Sequence, residues 1–155
     1  DPAIADVAAR TGAGLCLMHT GRDREKLFDV IEDQFAFLES SLQIATAAGV
    51  SLGQIVLDPG FGFAKSAEEN LRLMMRLHEL HVLGRPLLVG TSRKRFVRSV
   101  HVSDTADWDV ATAATSVLLR ERGASIFRVH DVSTNRDALA LVDAALANVE
   151  VAADE

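Results

Sequence analysis

The chain alternates short apolar segments with longer segments of helical periodicity, and this alternation constrains its fold more than any other feature. Each apolar segment predicts a strand, because it is short, rich in Val, Ile, Leu or Phe, and followed by glycine or polar residues. The four segments are GLCLMHT, QIVLDPGFGF, RPLLVGTSRK and SIFRVHD. The remaining segments predict helices over residues 2–11, 25–48, 67–83, 108–122 and 134–149. Strands that alternate with helices predict a parallel sheet covered by helices.

Polar residues follow each predicted strand, and they favour a barrel over an open sheet. These residues are Met18 and His19, Asp58, Ser92 to Lys94, and Arg128 with His130. In an α/β barrel all such loops meet at one mouth, whereas an open sheet gathers them only near one crevice. A barrel has eight strands and this chain provides four. The sequence therefore predicts the C-terminal half of a TIM (β/α)8 barrel, as a single partial domain over residues 1–155.

Charge and cysteine content exclude some classes of function. The formal net charge is −6, which argues against a nucleic-acid-binding protein but leaves room for a local basic site that binds a small anion. Cys16 is the single cysteine, so no disulfide is expected, and a reducing cytoplasm suits the chain. No apolar run approaches the roughly 20 residues that span a bilayer, and no signal peptide is expected.

The segment LDPGFGFAK places a carboxylate at the end of the second strand. Asp58 either forms the turn or presents two acceptor oxygens to a ligand edge with two parallel N–H donors. Gly60 and Gly62 would allow backbone or ligand to approach closely. Phe63 would stack on a ring or seal the loop, and Lys65 is expected to be a solvated loop lysine.

Cations follow the third and fourth strands. The run Ser92–Arg95 begins where a short helix is expected, and cations oppose the dipole at a helix N-terminus, so helix stability does not explain them. A solvated basic run and an anion site both remain open. Arg128 and His130 lie two residues apart and share one side of a strand. Together they favour a phosphate site over a core histidine.

The other histidines give no comparable signal. His19 has no such neighbour in sequence, and His78, His81 and His101 are expected on surface helices or loops. No pair of His or Cys residues has the spacing of zinc ligands, and no Ser–His–Asp order indicates a triad.

Four motifs, in this order, resemble the C-terminal part of dihydropteroate synthases. They are CLMHTG, LDPGFGFAK with the helix after it, RPLLVGTSRKRFV and GASIFRVHDV, and the resemblance extends over about residues 2–147. It implies a TIM barrel that joins 6-hydroxymethyl-7,8-dihydropterin pyrophosphate to 4-aminobenzoate, giving 7,8-dihydropteroate and pyrophosphate in folate synthesis. It also implies a sulfonamide target and magnesium as the cofactor.

The resemblance assigns a role to nine residues. Pterin contacts fall on Met18, Asp58, Gly62, Gly90 and Lys94; aminobenzoate contacts on Phe63 and Ser92; and pyrophosphate contacts on Arg128 and His130. Lys94, Arg128 and His130 would also be the catalytic residues. No metal ligand is expected in this half, and a homodimer would form through the helices predicted at 67–83, 108–122 and 134–149.

The chain also departs from the family pattern. No segment resembles the family's NVTPDSF, DIGGESTRPG or SIDT, which supply two mobile loops and the asparagine associated with magnesium. The loop after His19 is shorter than in many members. Two functions therefore stay open: a dihydropteroate synthase, and an inactive half-barrel or pterin- and phosphate-binding module that needs a second chain.

Overall fold

The computed structural model describes residues 2–100 and 107–153. Four strands and six helices alternate along this part of the chain: α1 Ala3–Thr11, β1 Leu15–Met18, α2 Val30–Ala47, β2 Ile55–Asp58, α3 Ala67–Met75, β3 Leu88–Val89, α4 Arg95–Arg98, α5 Trp108–Glu121, β4 Ile126–Phe127 and α6 Val132–Ala153. Two 3-10 turns, Leu52–Gln54 and Leu77–Leu83, precede β2 and β3. The predicted α/β order is confirmed.

The strands are parallel and follow one another in sequence order. Strand β1 pairs with β2 in a register that places Met18 beside Asp58, and β3 pairs with β4, with Leu88 beside Ile126. A parallel bridge between Leu57 and Leu87 joins the two pairs. Because the strands are parallel, their carboxyl ends lie at the same edge of the sheet, where the polar segments follow.

The two faces of the sheet differ in their cover. On one face Leu57 and Leu87 are fully buried, and they pack with apolar residues of the helices in one core. On the other face Cys16 is exposed, Val56 is half-buried and Ile126 is 39% exposed. Strand β4 is shorter than the predicted segment SIFRVHD, since it has two residues, and no described element covers the face that Ile126 shares.

Helix α2 begins later than the prediction of 25–48. Asp29 caps it, since its Oδ1 accepts hydrogen bonds from the backbone N–H groups of Ile31 and Glu32 at 2.8 and 3.1 Å. Phe28, which the prediction of 25–48 includes in the helix, therefore lies outside it and is 99% exposed. The Asp29 cap immediately after it fixes the start of the helix.

The predicted helix at 67–83 is two elements. A capping box formed by Ser66 and Glu69 starts α3, which ends at Met75, and the 3-10 turn Leu77–Leu83 runs on to Gly84. Gly84 has a φ of 65°, which is the left-handed conformation expected at a helix end. Helices α5 and α6 lie where the sequence predicts them, and Asp107 caps α5 as expected.

Three histidines, His78, His81 and His101, are expected on surface helices or loops. His78 and His81 are exposed, as expected, whereas His101 lies outside the described residues.

Within residues 2–100 and 107–153, no helix has the length and hydropathy needed to cross a membrane.

Candidate functional site

The polar residues that follow the four strands meet at one edge of the sheet. Asp58 ends β2 beside Met18, and the backbone N–H of His19 donates to the Asp58 carbonyl at 2.9 Å. The Arg128 guanidinium lies against Gly90, since a Cβ added to that glycine would stand 2.9 Å from Nη2. The sheet therefore brings both ends of the predicted site to the same rim.

Asp58 is buried with 4% of its surface exposed. Its Oδ1 accepts a hydrogen bond from the Gly60 backbone N–H at 2.7 Å, as a turn-forming Asp does. Burial raises the pKa of this carboxyl, while the Gly60 hydrogen bond and the charges of Lys94 and Arg128 oppose that rise. One oxygen thus holds the turn, and the carboxylate still faces two cations across the rim.

The loop after Asp58 requires its glycines. Gly60 has a φ of 67°, and a Cβ there would overlap the carbonyl oxygen of His19. Gly62 has a φ of 77°, and a Cβ there would come within 3.0 Å of the Lys94 side chain. Both positions combine a left-handed backbone with a close neighbour, which only glycine tolerates without strain.

Lys94 reaches across this loop. Its Nζ donates to the Phe61 carbonyl and lies 4.7 Å from the centre of the Phe63 ring. Arg22 faces the same ring at 5.4 Å. Burial lowers the pKa of Lys94, and the charge of Asp58 raises it in part. Phe63 is half-buried and lies between two cations at the wall of a groove.

That groove has a volume of about 660 Å³ and is rich in cations. Its charged lining residues are Arg22, Lys65, Arg93, Lys94 and Arg95. It suits an anion-bearing ligand next to an aromatic ring, since Phe63 offers a stacking surface and the rim of the groove is positive.

Ser92 and His130 form a second connection across the rim. Ser92 is 7% exposed, and its Oγ lies 2.8 Å from His130 Nδ1 and accepts from the His130 backbone N–H at 3.1 Å. Either atom can be the donor in the bond between Ser92 Oγ and His130 Nδ1, according to the tautomer of the ring. Nδ1 is thus engaged by Ser92, and the exposed side chains of His130 and Arg128 follow the same strand.

The basic run after β3 does not act as one cluster. Lys94 turns toward Asp58, whereas Arg93 turns away and pairs with Asp109 of α5 at 2.6 and 2.9 Å. Arg93 adopts a φ of 57°, which is unusual for a residue with a side chain. The two residues therefore have different partners, and the anion-site interpretation of this run stays a prediction.

His19 and Lys65 belong to the site's surroundings, although no sequence motif assigns either of them a ligand contact. His19 has none of its surface exposed, and its ring bonds Asp33 at 2.9 Å and Lys65 at 2.8 Å. Lys65 is not a solvated loop lysine, because it also donates to the Gly60 carbonyl at 2.9 Å. These partners lie 14 and 46 residues from His19, so no local sequence pattern could have revealed them.

The chemistry available at the rim follows from these groups. A buried carboxylate and a lysine suit a ring edge that carries both donors and acceptors, and an arginine fork with an imidazole N–H suits phosphate oxygens. Within residues 2–100 and 107–153, no three His, Cys, Asp or Glu side chains come together as a metal site.

Comparison with known proteins is consistent with this geometry. Residues 1–130 match the model of the family described as "Pterin binding enzyme". A dihydropteroate synthase from Streptococcus pyogenes serotype M3 is 42% identical over 138 residues, which are 88% of this chain and 52% of the relative. The chain spans about half the length of the curated relatives it matches.

Solved structures show the same likeness. A Yersinia pestis dihydropteroate synthase bound to a pterine–sulfa conjugate superposes with a TM-score of 0.86 at 35% identity, covering 95% of this chain and 57% of that one. A Xanthomonas albilineans dihydropteroate synthase with 4-aminobenzoic acid superposes with a TM-score of 0.86 at 33% identity, covering 95% and 54%. Because residues 1–130 of its 155 residues match the family model, this chain belongs to the pterin-binding enzymes.

Proposed function

We propose that this chain is the C-terminal half of a dihydropteroate synthase. The complete enzyme would join 6-hydroxymethyl-7,8-dihydropterin pyrophosphate to 4-aminobenzoate and release pyrophosphate. The observation that carries the proposal is the buried carboxylate of Asp58, which faces Lys94 and Arg128 at the common end of parallel strands. The relatives' names and their bound pterin- and aminobenzoate-type ligands support the same reaction.

The fold proposed for the complete enzyme is a TIM barrel, of which this chain forms four strands. Support comes from the uncovered sheet face, where Cys16 and Ile126 are exposed although apolar strand residues are ordinarily buried. A groove of about 250 Å³ also runs along the open edge of β1, between α1 and α2. The missing four strands would cover this face and pair with both open edges.

The pterin ring would lie against Asp58 and Lys94. The carboxylate would accept two hydrogen bonds from the ring's amino and N–H groups, and Lys94 would donate to an acceptor on the ring. Met18, Gly62 and Gly90 would form the pocket walls, and a flat ring could approach closely at the two glycines.

The aminobenzoate would lie beside Phe63, whose ring faces the cationic groove. A benzoate ring could stack there while its carboxylate points toward the cations. Ser92, whose hydroxyl bonds His130, would lie near the carboxylate.

The pyrophosphate would bind Arg128 and His130. The C–O bond from the pterin methylene to the pyrophosphate would break first, and the electron pair would leave with the pyrophosphate. The pterin would stabilise the cationic methylene, and the aminobenzoate nitrogen would then attack it and lose a proton. Arg128 and His130 would stabilise the departing charge, and Asp58 with Lys94 would hold the ring in position.

The magnesium ion would help to neutralise the pyrophosphate, but the described residues offer no ligand set for it. We assign it to residues outside this chain and derive no step through it. A cytoplasmic homodimer completes the proposal. The run ATAATSVLL of α5 offers small and apolar residues for a dimer contact. Ser116 in this run already bonds Asn135 of α6 at 2.7 Å, whereas Leu118 and Leu141 remain exposed for a partner.

A turnover assay tests the proposal and its alternative together. The full gene product, given pterin pyrophosphate, aminobenzoate and magnesium, should release dihydropteroate and pyrophosphate in equal amounts. The isolated 155-residue chain should show negligible turnover, because half of the barrel wall is missing. A full gene product that binds pterin but makes no dihydropteroate would favour the alternative, an inactive pterin-binding module.

A further inference from the structure

A buried polar cluster lies behind the rim, and the proposed reaction does not use it. His19 follows β1 and is fully buried. Lys65 approaches its Nδ1 at 2.8 Å, and both Asp33 and the Arg24 guanidinium approach its Nε2 at 2.9 Å. Lysine and arginine can only donate, so Asp33 is the acceptor among these three partners. The ring proton therefore lies on Nε2, facing the Asp33 carboxylate, and Nδ1 accepts from Lys65. This arrangement holds His19 neutral in one tautomer.

Lys65 connects this histidine to the turn that carries the candidate site. Its ammonium group also donates to the Gly60 carbonyl at 2.9 Å. The Gly60 N–H in turn donates to Asp58 Oδ1 at 2.7 Å. A continuous series of hydrogen bonds therefore runs from Asp33, through His19 and Lys65, to the proposed pterin-binding carboxylate.

The turn is held from its other side by the site itself. Lys94 donates to the Phe61 carbonyl, while Lys65 donates to the carbonyl of the residue before it. These two residues sit between Asp58 and Phe63, which are the proposed pterin and aminobenzoate contacts. Two ammonium groups thus fix two consecutive carbonyls, and the position of both ligand contacts depends on them.

We propose that Lys65 and His19 are positioning residues, which hold the turn at Gly60 and Phe61 and thereby aim Asp58 and Phe63 at their ligands. This inference rests on the proposed function for its ligand. It adds two residues to the binding apparatus, one of them fully buried. Neither would touch the pterin; each acts on pterin binding through the turn.

The charge of Lys65 makes the idea testable by pH. Burial and the charge of Lys26 lower the pKa of Lys65, three carboxylates raise it, and the net result is a pKa of about 8. Those carboxylates are Asp33 on α2, Glu69 on α3 and Asp58 on β2. As the pH rises through about 8, Lys65 loses its proton, and its two hydrogen bonds lose their charge assistance.

The experiment compares Lys65→Met with the unchanged full gene product. Binding of 6-hydroxymethyl-7,8-dihydropterin is measured by calorimetry at about pH 7 and about pH 9.5. At the lower pH the variant should bind about tenfold more weakly, because a charge-assisted bond is lost. At the higher pH the difference should nearly vanish, since wild-type Lys65 is then neutral. At each pH the dissociation constant of the variant is divided by that of the wild type, so titration of Lys94 and of the ligand, which both proteins share, cancels.

Two further variants separate positioning from simple packing. Lys65→Arg keeps a cation at all these pH values, so it should rescue affinity at about pH 7 and retain it at about pH 9.5. The matched control is Lys26→Met, because Lys26 bonds the neighbouring Ala64 carbonyl at 3.0 Å but touches neither His19 nor Gly60. That control should bind as the wild type does at about pH 7. At about pH 9.5 it should bind at least as well as the wild type, because loss of the Lys26 charge lets Lys65 keep its proton to a higher pH.

The outcomes separate a failure of the positioning role from a failure of the proposed function. If the wild type binds pterin and Lys65→Met binds equally well, or is weakened by the same factor at both pH values, the positioning role is wrong. If the wild type binds no pterin, the proposed function fails instead. In that case nitrogen NMR of His19 still decides: Lys65→Met should move part of the ring proton to Nδ1, and an unchanged tautomer would overturn the inference.

Discussion

Replacing Arg128 with alanine should separate pyrophosphate binding from pterin binding. The fold should survive the change, because the backbone N–H of Arg128 donates to the Val89 carbonyl at 2.9 Å and the side chain is exposed. Within residues 2–100 and 107–153 its guanidinium makes no hydrogen bond, so its donors are available to a ligand. The Arg128 side chain lies against Gly90 at the rim.

The magnitude follows from the bonds that a guanidinium fork makes. Each hydrogen bond to a charged phosphate oxygen contributes roughly 1.5–3 kcal/mol, and a fork makes two. Arg128 is exposed, and solvent screening reduces the sum to about 1.5–3 kcal/mol in total. We therefore expect affinity for the pterin pyrophosphate to fall about 10- to 150-fold. Affinity for the pterin without pyrophosphate should change less than about threefold.

Calorimetry with two variants and two ligands gives the test. Asp58→Ala should lower the affinity for both ligands by the same factor, since the ring is common to them. Arg128→Ala should lower only the affinity for the pterin pyrophosphate. Arg72→Ala is the matched control, because Arg72 is exposed on α3, pairs with Glu68 and does not line the groove. If Arg128→Ala weakens the bare pterin as much as its pyrophosphate, the assignment of this residue is wrong.

Three further predictions concern assembly and stability. Sedimentation of the full gene product should show a dimer that Leu141→Asp dissociates, and a monomer at high concentration would contradict the proposed interface. Burial and the Lys65 charge lower the pKa of His19 from 6.5 to about 4. The unfolded state therefore binds more protons between those values, and the free energy of unfolding by urea should fall as the pH drops from about 6.5 to 4. His19→Gln should remove that part of the fall; an unchanged slope would refute it. Gly60→Ala should lower stability by more than about 1 kcal/mol in the same assay, through its overlap with the His19 carbonyl, and wild-type stability would contradict this.

The sequence predicts the architecture and the rim because both depend on local patterns. Strand and helix periodicity gives the α/β order, and the position of Asp58 immediately after an apolar strand places it at the carboxyl edge. Glycine spacing likewise predicts the close approaches at Gly60 and Gly62. These features require only the residues themselves and their immediate neighbours.

The errors arise where distant residues decide the outcome. Lys65 looks like a solvated loop lysine until the fold brings His19 and the Gly60 carbonyl to it. The apolar residues of β4 predict a buried strand, yet Ile126 is 39% exposed because no described element packs on its face. Arg93 likewise pairs with Asp109, sixteen residues later. Periodicity cannot show such contacts.

The most direct test of the central claim is a crystal structure of the full gene product with 6-hydroxymethyl-7,8-dihydropterin bound. We predict that the ring's amino and N–H groups donate to the two Asp58 oxygens at about 2.7–3.2 Å, with Lys94 on the same ring. We also predict four additional strands that cover the face of Cys16 and Ile126 and complete the barrel. A pterin bound elsewhere, or an Asp58 carboxylate without contact to the ring, would contradict the account.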